Sequence, residues 1–143
     1  MLFKWIAVFA AGISATLAQT IELGFPQNGD NFCPGQEATT RLFNRWESVA
    51  STVQVGIALG IDDCENGLWP DPADGLGFVL YAGPWTPESH GPPYAYGYYQ
   101  NFTVTILSYL TKGPAIFTLT HFCLIGADWY LFLEFRNVTV KVV

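Results

Sequence analysis

Positive charge is scarce in this chain: six Lys and Arg stand against twelve Asp and Glu over 143 residues. Once Lys4 leaves with the leader described below, five basic residues remain, and the formal charge falls from −6 to −7. A surface of that sign repels nucleic acid and anionic lipid, so neither is expected as a partner. Histidine is nearly absent too, with only His90 and His121. His121 lies in an apolar run and reads as a satisfied core histidine rather than a base. No Gly-x-Ser-x-Gly elbow, His-Glu-x-x-His pair, phosphate loop or Cys-x-x-Cys occurs. Glu88 with Asp128 or Glu134 gives no sign of a glycosidase pair spaced across a cleft. The acidic stretch Asp62, Asp63, Glu65, Asp71 and Asp74 fails as an EF-hand loop, because Cys64 and Ala73 fall where oxygen ligands are required. No enzyme, cofactor or metal site is therefore expected.

Long apolar runs are missing as well, apart from the first residues. Lys4, the core Trp5 to Ala11 and the small-x-small pattern Thr16-Leu17-Ala18 make residues 1–18 a cleavable secretory signal peptide. Its apolar run is too short for a membrane span, which needs about 20 residues. The protein is accordingly expected to be secreted and extracellular, with residues 19–143 forming a single domain and no membrane span.

That domain reads as all-β. Pro34-Gly35, Asn66-Gly67, Gly83-Pro84, Gly91-Pro92-Pro93, Gly113-Pro114 and Gly126-Ala127-Asp128 cut it into short pieces rich in Val, Ile, Thr, Phe and Tyr. Three of these alternate with period two: Val53 to Ile61, Phe102 to Ile106, and Val138 to Val142. Only Thr40–Ser51 invites a helical reading, through Leu42, Phe43 and Trp46. About seven strands at this spacing predict an antiparallel, immunoglobulin-like β-sandwich, with a jelly roll or small barrel as the alternative.

Residues 81–99 carry Tyr81, Trp85, Tyr94, Tyr96, Tyr98 and Tyr99 among Gly and Pro. Either these rings pack on the edge of the sandwich, or Trp85, Tyr94, Tyr96 and Tyr98 form a contact surface for a partner or a glycan. Two glycosylation sequons, Asn101-Phe102-Thr103 and Asn137-Val138-Thr139, have middle residues that point inward by the alternation, so Asn101 and Asn137 point out. The three cysteines leave one over. In an up-and-down strand order Cys33 and Cys64 reach the same end and Cys123 the other, which predicts a Cys33–Cys64 disulfide and a buried Cys123 thiol; the alternative is no bridge.

The order of segments adds a resemblance. Ile21-Glu22-Leu23, Cys33-Pro34-Gly35-Gln36, Val55-Gly56-Ile57-Ala58-Leu59-Gly60 and Leu76-Gly77 with Leu80-Tyr81 come first. Gly83-Pro84, Tyr99 to Val104, Lys112 to Ala115, Leu124 to Ala127 and Asn137 to Val140 follow. The set resembles small secreted fungal proteins related to the necrosis-inducing secreted protein family, over nearly the whole mature chain. The resemblance implies an immunoglobulin-like sandwich without catalytic residues. It also implies an effector that suppresses host immune signalling by binding receptor-type kinases, or provokes cell death. The alternatives are a cell-wall or glycan-binding module using the 81–99 aromatics, and a structural surface protein.

Overall fold

The computed structural model describes residues 21–44, 52–64, 67–91 and 97–143. Residues 1–18, expected to be a signal peptide, and Trp46, Glu65, Tyr94 and Tyr96 lie outside them. Among the described residues nine strands follow one another: β1 (Ile21–Phe25), β2 (Asn31–Phe32), β3 (Glu37–Asn44), β4 (Thr52–Asp63), β5 (Phe78–Gly83), β6 (Glu88–His90), β7 (Gly97–Thr105), β8 (Gly113–Ile125) and β9 (Tyr130–Val142). Two more strands are present than the turn spacing predicts, and the extra elements are the short β2 and β6. Thr40 to Asn44, expected to be ambiguous, continue strand β3.

The strands form a four-stranded sheet, β1-β3-β7-β6, and a five-stranded sheet, β2-β9-β8-β4-β5. Their inner faces meet in one core, giving a β-sandwich. The ladders are antiparallel except for the short parallel pair β2–β9. Ile21, Leu42, Phe102 and Val104 of the smaller sheet pack against Leu59, Ile61, Phe117, Leu119 and Val140 of the larger. Every one of these is an inward position of a period-two strand, so burial of apolar area drives the pairing of the sheets.

Beyond β4 the chain folds back over the outside of the larger sheet. A β-carbon at Gly60 would stand 2.5 Å from the carbonyl oxygen of Leu76, so the backbone of that segment lies directly on β4. Gly77 makes a similar close approach beside Asp62, with φ +69. Ile116 and Thr118, which face outward on β8, are buried at this end of the sheet. Gly60→Ala is expected to destabilise the fold by about 1–3 kcal/mol, because the obstacle is backbone that must move. Urea denaturation measures this, and an unchanged midpoint would mean that the segment yields freely.

The Cys33–Cys64 bridge does not form; all three thiols are free. The two residues do reach the same end of the sandwich, but β2 pairs with β9 rather than with a sequence neighbour. β9 and β8 therefore stand between Cys33 and β4. Three strand spacings come to about 14 Å, against the roughly 7 Å that a disulfide spans between Cα atoms.

Candidate functional site

The alternation Val53, Val55, Ile57, Leu59, Ile61 promises one continuous apolar face, yet the structure divides it. A β-bulge falls between Gln54 and Gly56, where Gln54 pairs with Cys123 and Gly56 already pairs with Phe122. Val55 is the extra residue of the bulge. A bulge re-aims the side chains on either side of it. Ile57, Leu59 and Ile61 stay in the core, whereas Val53 and Val55 are 43% and 48% exposed. Gln54 takes the inward place instead.

Inside this end of the sandwich the residues are polar. His121, fully buried on β8, places Nδ1 2.8 Å from Glu134 Oε1 and Nε2 2.6 Å from Gln54 Oε1. Arg136 donates from Nη2 to Glu134 Oε2 at 2.7 Å and from Nε to the carbonyl of Ile21 at 3.2 Å. That second bond crosses to β1 and ties the two sheets together. The carboxylate is desolvated but faces a ring N–H and a guanidinium, the condition under which a buried charge is tolerated. With both ring nitrogens engaged and no exposed surface, His121 has no route to a substrate. The cluster is structural.

Cys123 belongs to the same interior. Burial, and then the negative charge of Glu134, push its thiol up from 9.0 to about 11. Burial, followed by Asp62 and Asp63, also raises the Cys64 thiol. A thiol that holds its proton more tightly in the folded state contributes stability in full below pH 9. That contribution is lost as the pH rises from 9 towards about 11, because the unfolded thiol ionises first. The difference in stability between the protein and Cys123→Ala is therefore expected to shrink over that window. Equilibrium unfolding at pH 8, 9.5 and 10.5 measures it, and a constant difference would place Cys123 in a wetter setting.

Outside, the same end is apolar. Outward positions pair across three strands as Val53 with Leu124 and Leu131, Phe122 with Leu133, and Thr120 with Phe135. Leu131 is 77% and Leu133 56% exposed, while Phe122, Leu124 and Phe135 are half-buried. None of these outward positions carries a charge. An open hollow of about 460 Å³ adjoins them, bounded by Val55, Ala58, Pro84 and Phe122. The β8–β9 hairpin at the end of the ladder carries Trp129 and Tyr130, both largely exposed, with Tyr130 in the opposite phase of β9 to Leu131. Trp129 has φ 52, a left-handed conformation that costs a bulky residue energy and concentrates at functional loops. This end is thus inverted, polar within and apolar without.

Among the described aromatics of residues 81–99, Trp85 and Tyr81 follow the packing alternative rather than the contact surface. Trp85 is 2% exposed and stacks on Phe102 at 6.3 Å. Tyr81 packs on the same ring at 4.6 Å and donates its hydroxyl to the carbonyl of Pro84. Trp85 is a core residue, so it cannot stack on a sugar or touch a partner. Tyr98 is half-buried on β7. Asn101 and Asn137 stand at exposed strand positions, on the four-stranded and five-stranded sheets respectively.

Sequence reasoning missed the ladder, although one signal for it was present. Leu131, Leu133 and Phe135 alternate in the opposite phase to Val138, Val140 and Val142, so a single strand carries apolar residues on both faces in turn.

No family model matches this sequence, and no curated protein matches it. Among the described residues no three His, Cys, Asp or Glu side chains gather to hold a metal ion. No helix among them is long and apolar enough to cross a membrane.

Proposed function

We propose that this chain is a secreted binding protein of effector type, without catalysis of its own, that engages a protein outside the cell producing it. A host receptor-type kinase is the partner implied by the resemblance, and an immunoglobulin-like plan for the β-sandwich is part of the same proposal. The observation that carries the proposal is the uncharged ladder of Val53, Val55, Leu131 and Leu133 on the open face of the larger sheet. Contiguous exposed apolar patches are rare on monomeric soluble proteins unless something binds there. The exposed Trp129 at its end is of a residue type that dominates interface energetics.

Purified protein titrated against a panel of recombinant plant receptor-type kinases tests the proposal, with ectodomains and kinase domains assayed separately. Saturable binding to an ectodomain supports action at the host cell surface, and binding to a kinase domain supports action after uptake. No binding to any member, with retention on chitin or β-glucan instead, would replace the effector reading with the glycan-binding one.

A further inference from the structure

The outer face of the smaller sheet holds a second, polar hollow of about 200 Å³, bounded by Thr86, Glu88, His90, Tyr99, Gln100 and the sequon residue Asn101. Tyr99 cannot serve as its floor for a ligand, since the His90 ring stacks on it at 3.5 Å and the Arg41 guanidinium sits 4.5 Å from its centroid. What the hollow offers is hydrogen-bonding capacity. The exposed Glu88 carboxylate is its accessible acceptor, whereas His90 Nδ1, without a hydrogen-bond partner, is buried.

The orientation of the Asn101 amide decides what can enter. Arg41 Nε lies 2.9 Å from the side chain of Asn101. A guanidinium only donates, so the atom facing it must be the carbonyl oxygen Oδ1. Arg41 is on β3 and the hollow is on the β6 side, with β7 between them in the sheet. With Oδ1 engaged by Arg41, Nδ2 is the amide atom left for another group, and Asn101 lines the hollow. Nδ2 is the atom that carries an N-linked sugar.

We propose that Asn101 is glycosylated and that the first N-acetylglucosamine of its glycan seats in this hollow, against Glu88 and His90. The transfer uses a lipid-linked oligosaccharyl diphosphate. The sugar C1–O bond to diphosphate breaks, the C1–Nδ2 bond forms, and one Nδ2 hydrogen leaves as a proton with the lipid diphosphate released. Once β7 pairs with β3 and β6, the Arg41 bond holds Oδ1 and leaves Nδ2 to carry the sugar. Its hydroxyl and acetamido groups supply a donor for the Glu88 carboxylate, and the His90 ring walls the same hollow.

The test uses the full chain, carried into the secretory pathway of a eukaryotic host by an added leader so that the result does not depend on residues 1–18. Glycopeptide mass spectrometry reads the occupancy of Asn101. Endoglycosidase then trims each glycan to a single N-acetylglucosamine, and melting is compared with Thr103→Ala. That variant erases the sequon but keeps Asn101 and its bond to Arg41. The trimmed protein is expected to melt about 3–5 °C higher, as one added hydrogen bond would give in a domain of this size. In the Glu88→Ala/His90→Ala background the same comparison should give no increment, a difference that cancels the cost of the background itself. An unoccupied Asn101, or an equal melting temperature with and without its sugar, would overturn the proposal. Neither outcome depends on whether the chain binds a receptor-type kinase.

Discussion

Replacing Glu134 with alanine is expected to cost about 3–5 kcal/mol of stability, the largest loss from any single surface-distant change discussed for this fold. The carboxylate accepts from His121 at 2.8 Å and from Arg136 at 2.7 Å between the two sheets. Its removal leaves a desolvated ring N–H and a guanidinium without their anion, which costs far more than the intact pair returns. Arg136 keeps 23% of its side chain exposed and can recover water, so the loss should fall toward the lower end of that range. The same reasoning predicts an unusual ordering. His121→Leu/Glu134→Leu, which removes the fully buried ring with the carboxylate and leaves only the half-buried Gln54 and Arg136 to recover water, should cost less than Glu134→Ala alone. Guanidinium denaturation of the three proteins gives the order, and a double variant less stable than the single would show that the network itself holds the sheets together.

The second large effect concerns the opposite face of the same strands. Leu131→Asp/Leu133→Asp puts two charges on the ladder. It is expected to weaken partner binding by about 2 kcal/mol or more, roughly thirtyfold. Both side chains are more than half exposed, so the core is untouched. Aspartate does lower strand propensity, by up to about 1 kcal/mol. Leu131→Thr/Leu133→Thr removes the apolar area while keeping a β-branched residue, and separates lost contact from lost strand. Lys141→Ala, at an exposed position near the far end of β9, should leave binding unchanged.

Much of the fold was legible because local pattern and burial agree. Phe102 and Val104 on β7 and Val138, Val140 and Val142 on β9 face inward as their alternation requires, and the turns at Gly83-Pro84 and Gly126-Ala127-Asp128 fall at strand ends. The misreadings share a cause: each was decided by a partner distant in sequence. Gln54-Val55-Gly56 continues the alternation without a break, and only pairing against Cys123 and Phe122 reveals the bulge that turns Val53 and Val55 outward. The expected Cys33–Cys64 bridge rested on neighbouring strands lying side by side, whereas β2 joins the sheet beside β9. Trp85 is a different case: of the two readings open for it, packing on the sandwich holds, with Phe102 and Tyr81 around it. His121 was legible in type, as a satisfied core histidine. Its partners Glu134 and Gln54, 13 and 67 residues away, were not.

The bulge thus links the two halves of the candidate site. By moving Gln54 inward it completes the polar interior around His121, and by moving Val53 and Val55 outward it extends the ladder of Leu131 and Leu133 across a third strand. An interior that is polar at this end needs the apolar residues of the strands elsewhere, and the alternation leaves them only the outer face.

The most direct test is the dissociation constant of the protein and of Leu131→Thr/Leu133→Thr for whichever receptor-type kinase binds, with melting curves recorded on the same samples. Binding about thirtyfold weaker, with a melting temperature shifted by no more than about 2 °C, is the predicted result. An affinity unchanged by the substitution would contradict the account, because the partner would then be using some other surface.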